Sequence, residues 1–168
     1  MKSRTQKIIN GIIAAPFLLL GAALVVALLY LVYCEINKAY WDNKVREWCE
    51  KDGGVTVFEK VELTQGEYKK FVTGNNKYPV FPTESMAKDE DSFYLSYRTS
   101  VINDSYPRVD RTETSIVRAV DKKVISTMVN YNRSGGDAII IDHPSSFSCE
   151  RNINLFDKFN SSIYYKGE

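Results

Sequence analysis

The sequence contains little of what most enzyme and metal sites require. Its 168 residues include one histidine and three cysteines, and those cysteines are too widely spaced for the paired ligands of a zinc site. No G-x-S-x-G segment is present, which excludes the nucleophile elbow of α/β-hydrolases. The formal net charge is +1, so the chain has no overall electrostatic attraction for nucleic acid. We therefore expect no cofactor, no bound metal and no nucleic-acid partner.

Charged side chains are also absent from one long stretch, Ile8–Tyr33, in which Asn10 is the one strongly polar residue. A helix needs roughly 20 apolar residues to span a bilayer core, whereas the apolar core of a signal peptide has about 7–15. The end of the stretch reads Val32-Tyr33-Cys34 and lacks the small residues that cleavage or lipid attachment requires. Residues 1–34 therefore predict a cytoplasmic tail and an uncleaved, single-pass anchor. A buried core helix is the alternative.

The flanks of the anchor bear on its orientation. Three basic residues and no acid precede it, and four basic residues follow it before residue 52. Counting Lys and Arg near the ends of the span does not decide between the two orientations. We expect the N-terminus in the cytoplasm, because a basic segment ahead of an apolar run is typical of a signal anchor. Residues 35–168 then form one domain outside the cytoplasm, attached to the membrane.

Two of the cysteines favour the same placement. Cys34 lies at the membrane edge, while Cys49 and Cys149 lie near the two ends of the domain. An even pair in a small domain outside the cytoplasm predicts a disulfide. Two reduced cysteines in a cytoplasmic domain are the alternative.

Residues 35–51 predict that the membrane helix continues into the domain, because they contain no Gly or Pro. At 100° per residue, Trp41, Val45, Trp48 and Cys49 fall on one apolar arc, and Asp42 falls with other polar residues mostly on the opposite side. The sequence Asp52-Gly53-Gly54 is typical of a helix end.

The rest of the domain has the pattern of an α+β fold with an antiparallel sheet of about four strands. Turn residues and an acidic cluster predict surface loops over 72–91, and that cluster lacks the pattern of an EF-hand. The ordered elements expected are a strand over 55–63, a helix capped by Thr64 and Glu67, a strand over 92–102, a hairpin around 121–122 and a C-terminal element over 154–165.

The segment RSGGDAIIIDHPSSFSCE, residues 133–150, contains most of the chemically reactive residue types. Aspartate, histidine and serine occur together in hydrolytic triads, and aspartate and histidine bind metal ions. Residues this close in sequence rarely form a triad, and the glycines, Pro144 and the serines also suit a turn-rich closing segment. We therefore assign no catalytic or metal-binding residue. We expect an interaction surface formed by Gly135, Gly136, Asp137, Asp142, His143, Ser145 and Ser146.

Tyrosines extend this candidate surface. Tyrosine is favoured at protein interfaces because it combines a large contact area with a polar tip, although it is equally favoured in strands. The tyrosines concerned are Tyr94, Tyr97, Tyr106, Tyr131, Tyr164 and Tyr165.

Two segments resemble a family of small envelope proteins of Gram-negative bacteria. They are CEKDGGVTVFEKVEL from Cys49 and YNRSGGDAIIIDHPSSFSC up to Cys149. The family has an N-terminal apolar segment, then Cys-x-Lys-Asp-Gly-Gly, Gly-Gly-Asp and Pro-Ser-Ser-Phe-Ser-Cys. The resemblance covers residues 41–149 and supports pairing of the two cysteines. It implies an envelope location, so we expect the anchor in the inner membrane of a bacterium and residues 35–168 in the periplasm. It implies no enzymatic activity.

The order of anchor, amphipathic helix, antiparallel sheet and late disulfide is also similar to that of type IV pilins. A prepilin peptidase would have to cut between Gly11 and Ile12, and Pro16 stands where pilins carry an acid. We expect instead a single-pass membrane protein whose domain binds an envelope protein partner. The alternatives are a periplasmic hydrolase or metal-dependent enzyme at residues 135–148, and a pilin-like subunit. The oligomeric state stays open.

Overall fold

A computed structural model describes residues 4–72, 78–139, 142–149 and 155–165, with side chains from residue 16 onward. The first helix, α1 (Arg4–Lys51), is continuous through Pro16. Every side chain from Pro16 to Tyr33 is exposed, and the most apolar window of the helix has a mean hydropathy of 2.6. By length and composition α1 can cross a membrane.

The outer half of α1 packs on the domain along the predicted apolar arc. Val45 is fully buried, with Trp41, Trp48 and Cys49 beside it. The helix ends at the predicted place, where the N–H groups of Asp52 and Gly53 both donate to the carbonyl of Trp48, at 2.9 and 3.0 Å.

Glycine is required at both positions of the Gly53–Gly54 pair. A Cβ at Gly53 would lie 2.7 Å from the Cα of Cys49, so only glycine allows this approach of the turn to the helix. Gly54 has φ +125°, a conformation that other residues rarely adopt.

The α+β class is confirmed. Within the described residues, the elements after α1 are β1 (Gly54–Val57), β2 (Val61–Glu62), α2 (Gln65–Phe71), β3 (Phe93–Asn103), β4 (Arg108–Arg118), β5 (Val124–Ser134), β6 (Ser146–Ser148), α3 (Leu155–Asn160) and β7 (Ile163–Tyr164). The main sheet has the order β1-β5-β4-β3, and β6 pairs with β5. All these pairs are antiparallel. β2 and β7 form a separate parallel pair.

The single strand predicted over residues 55–63 is wrong, because two short strands in different sheets occupy it. The N–H groups of Phe58 and Glu59 both donate to the carbonyl of Ile125, at 2.9 and 3.2 Å, which ends the regular ladder. The chain then turns to pair with β7. Residues 73–77 of the predicted loop, and Asn154 at the start of the predicted C-terminal element, lie outside the described residues.

The capped helix predicted after this strand is confirmed as α2. The N–H of Glu67 donates to Oγ1 of Thr64 at 3.3 Å, and the N–H of Thr64 donates to Oε2 of Glu67 at 3.0 Å. This reciprocal pair is a capping box, and both of its members are local in sequence.

A disulfide joins Cys49 on α1 to Cys149, with a Cα–Cα distance of 5.4 Å, so the predicted pairing is confirmed. The bond lies in the apolar cluster between α1 and the sheet, where Phe147 also packs. A second cluster on Ile116 and Ile125 joins the sheet to α2 and α3. The segment before Cys149 is therefore held against the outer half of α1.

Candidate functional site

Arg133, near the end of β5, is the centre of the polar network under the candidate segment. Its side chain is 3% exposed, and its Nε–H donates to Oδ1 of Asp42 on α1 at 2.6 Å. Its Nη1 donates to the carbonyls of Gly135 and Ser145, the latter at 3.1 Å, and to the hydroxyl of Ser145 at 2.9 Å. One buried guanidinium therefore joins α1 to both ends of the candidate loop.

Asp137 forms the second connection across the loop. Its Oδ2 accepts from the N–H of Ser145 at 2.7 Å, and its Oδ1 accepts from the hydroxyl of Ser145 at 2.8 Å. Lys38 on α1 approaches the same carboxylate at 3.4 Å. The backbone amide of Ser145, and then its hydroxyl and Lys38, hold the pKa of Asp137 below its ordinary value.

These contacts of Ser145 hold the loop together. Its hydroxyl donates to Asp137 and accepts from Arg133, so it is already engaged both as a hydrogen-bond donor and as an acceptor. His143 contacts Asp142 through Nδ1 at 2.9 Å, and in the described part of the chain no hydrogen bond joins it to a serine. The geometry does not bring together the nucleophile and base that hydrolysis by a triad requires.

Asp142 and His143 form the protruding tip of the loop. Their side chains are 89% and 82% exposed. Among the described residues, no group of three or more His, Cys, Asp or Glu side chains is placed to hold a metal ion. The seven predicted site residues therefore fall into three groups. The internal set is Gly135, Gly136, Asp137 and Ser145, the exposed tip is Asp142 and His143, and Ser146 is exposed at the start of β6.

The acidic cluster has a structural role at its C-terminal end. Asp91 is buried and accepts from Lys70 at 3.0 Å and from the N–H of Lys88 at 2.8 Å. It lies beside a cleft of about 670 Å³ that forms where β3 begins and β4 ends. Five acidic and three basic side chains line this cleft.

The predicted tyrosine surface is only partly present. Tyr94 and Tyr131 are buried, whereas Tyr97, Tyr106 and Tyr164 are exposed and Tyr165 is half-buried. Tyr131 packs on Trp48 with ring centroids 5.6 Å apart. The buried tyrosines belong to the core.

The outer edge of β3 is open over much of its length. Thr83 bridges to Leu95, and beyond that point no described strand pairs with the outer side of β3. The side chains from Tyr97 to Ile102 are exposed. Such an edge can add an extended peptide as a further strand.

Sequence reasoning missed three members of the network: Arg133, Asp42 and Lys38. Asp42 was expected on the polar side of α1, but it faces the domain and pairs with Arg133. Its position beside Trp41, next to the apolar arc, was the available signal. Nothing local identified its partner, which lies 91 residues away.

A scan against protein-family models, a search of curated proteins and a search of solved structures found no match to this chain. The resemblance to the Gram-negative envelope family therefore stays a hypothesis.

Proposed function

We propose that this chain is a single-pass protein of the bacterial inner membrane whose periplasmic domain binds an envelope protein. The main observation in support of this proposal is the division of α1 into two halves. One half exposes apolar side chains from Pro16 to Tyr33, and the other is covered by a domain closed with a disulfide. Apolar exposure of this extent is stable only in lipid or in a protein interface. Disulfides persist outside the cytoplasm, which supports the periplasmic side.

Labelling of introduced cysteines in spheroplasts tests this topology. Val120→Cys lies on an exposed turn of the domain, and Ser3→Cys lies before the anchor; both would be made in a Cys34→Ala background. We expect a membrane-impermeant maleimide to label position 120 in intact spheroplasts and position 3 only after lysis. The reverse pattern would place the domain in the cytoplasm and overturn the proposal.

We place the partner surface at Asp142 and His143, because these two side chains protrude and have no other role in the described structure. Asp137 is unsuitable as a test of binding, since its carboxylate holds the loop closed. A photoreactive amino acid at position 143 should form a cross-link to one defined envelope protein in cells. Asp142→Ala should weaken that cross-link, and Asp89→Ala, which changes another exposed aspartate outside the loop, should not.

The open edge of β3 is the other surface available to a partner, for an extended segment. A photoreactive residue at position 97 compares the two surfaces directly. Cross-links from 97 and none from 143 would move the binding surface from the loop to the strand edge.

A pilin-like subunit is a second candidate, favoured by the shape of α1. A 48-residue helix with one exposed half and one half packed on an antiparallel sheet is the arrangement of such subunits. Pro16 in place of the usual acid counts against it. Mass analysis of the N-terminus distinguishes the two hypotheses. A chain that begins at Ile12 supports the pilin-like hypothesis, and a chain that begins at Met1 supports a permanent anchor.

A further inference from the structure

We propose that the membrane-proximal rim of the domain, formed by Val101, Ile102, Tyr106 and Ile139, lies on the headgroup layer of the bilayer. This inference rests on the proposed membrane anchoring. It adds that the domain does not hang free on its helix but contacts the lipid surface.

The first observation is the position along α1 at which the domain contacts the helix. The amide of Asn37 donates to the carbonyl of Tyr106 at 3.4 Å. At 1.5 Å per residue, Asn37 lies only about 6 Å along the helix from Tyr33, the end of the uncharged stretch. Lys38, on the next position, pairs with Asp137 at 3.4 Å. The β3–β4 turn and the 135–139 loop are both attached to α1 immediately beyond the membrane-spanning stretch.

Cys34, three residues before Asn37, is also buried at this level of the helix. Cys34 is 5% exposed, whereas Tyr33 and Ile36 beside it are 63% and 65% exposed. Small residues elsewhere on the exposed half, such as Ala23, are not covered by their helical neighbours. Cys34 is contacted by Tyr30, one turn earlier on α1, and it lies one turn before Asn37, which binds the carbonyl of Tyr106.

Exposed apolar side chains lie at this level, beside the exposed polar residues Asp104 and Ser105 of the turn. Val101, Ile102 and Tyr106 belong to the end of β3 and the turn after it, and Ile139 follows Asp137 by two positions. Single exposed apolar residues are ordinary on protein surfaces. Here two separate segments place such residues at the end of the domain that α1 holds against the membrane.

The ring of Tyr106 is fixed between these segments. Its hydroxyl donates to the carbonyl of Asp137 at 3.1 Å, and a Cβ at Gly135 would lie 2.3 Å from the ring. Glycine at 135 therefore makes room for the tyrosine. Together with Tyr30 and Tyr33, Tyr106 forms the kind of aromatic belt that is enriched at membrane–water interfaces.

The bilayer is the occupant that the geometry favours, because the rim continues directly from the face of α1 that enters the membrane. Arg108 lies between Asp104, at 3.8 Å, and Asp110, at 3.0 Å, so these three charged groups beside the rim carry a net negative charge. These groups form no basic cluster, so contact with the headgroup layer depends on the apolar and aromatic side chains of the rim and not on a particular anionic lipid.

Spin-label accessibility on the full-length chain tests the proposal. Labels at Ile102→Cys and Ile139→Cys would be compared with Leu24→Cys in the span and Val120→Cys at the far end of β4, all in a Cys34→Ala background. The protein would be reconstituted in nanodiscs of phosphatidylethanolamine and phosphatidylglycerol. We expect labels at 102 and 139 to have a ratio of oxygen to nickel-chelate collisions between those of 24 and 120.

The four positions separate the possible failures. If 102 and 139 match 120 while 24 is in lipid, the anchor stands and the rim proposal is overturned. If 24 is also accessible to the nickel chelate, the anchor itself is wrong. Hydrogen exchange of the unlabelled protein gives a check without substitutions: amides of residues 103–106 should exchange more slowly in nanodiscs than in amphipol, and equal rates would count against lipid contact.

Discussion

Replacing Arg133 by methionine should destabilise the domain strongly, because its guanidinium joins α1 to the candidate loop. The change leaves the carbonyls of Gly135 and Ser145 without this donor, at about 1–3 kcal/mol for each group that stays dry. Removal of one partner from a buried ion pair costs about 3–5 kcal/mol. The side chain of Asp42 is 25% exposed and can recruit water. We therefore expect Arg133→Met to lower the free energy of unfolding by an amount near the lower end of this range, about 3–4 kcal/mol.

Urea unfolding of the full-length protein in detergent micelles measures this loss, with the fluorescence of Trp41 and Trp48 as the signal. Arg108→Met is the matched control, because Arg108 is half exposed and its ion pairs are expected to contribute about 0–1 kcal/mol. If the two variants lose the same free energy of unfolding, the Arg133 network does not hold the loop to α1.

Three further perturbations have outcomes that the structure determines. Reduction of Cys49–Cys149, whose sequence separation is 100 residues, should lower the unfolding free energy by up to about 4–5 kcal/mol in the chain-entropy model; an unchanged urea midpoint with dithiothreitol would contradict this. The pKa of Asp137 is lowered in the folded state, so its contribution is present above its unfolded pKa of about 3.9 and is lost as pH falls through the folded value. Asp137→Asn should therefore be less stable than wild type at pH 7, and the difference should shrink toward pH 3; a constant difference would contradict the linkage. Gly135→Ala should cost about 1–2 kcal/mol because φ is +84° there, and it should displace the ring of Tyr106; thermal unfolding equal to wild type would show that this backbone position tolerates a side chain.

The elements predicted correctly from sequence depend on contacts between near neighbours in the chain. The uncharged stretch before Cys34 and the absence of Gly and Pro over 35–51 are sufficient to predict one long helix with an apolar arc. The Thr64–Glu67 capping box closes within one turn. The β4–β5 hairpin closes around Asp121 and Lys122. In each case the interacting groups are adjacent along the chain, so their spacing carries the signal.

The sequence predicted which segment forms the candidate site, but not which of its side chains face inward and which protrude. Its reactive residue types suggested a surface, yet Asp137 and Ser145 bind each other and only the tip at Asp142 and His143 protrudes. Which side chains of a turn-rich segment face inward depends on what lies beneath it. Here that is α1, about 90–100 residues earlier in the chain.

By itself, the sequence determined the apolar helix that can cross a membrane and the α+β class, because periodicity and residue type express them locally. It also indicated the disulfide, because Cys49 and Cys149 are the two cysteines of the domain. Only the tertiary structure decided that Asp42 faces inward, that β2 pairs with β7, and that the β3–β4 turn meets α1 beside Cys34. The physical reason is the same in all three cases. A polar group pairs with whichever partner the packed chain brings within hydrogen-bond distance, and no local pattern records a partner from another part of the fold.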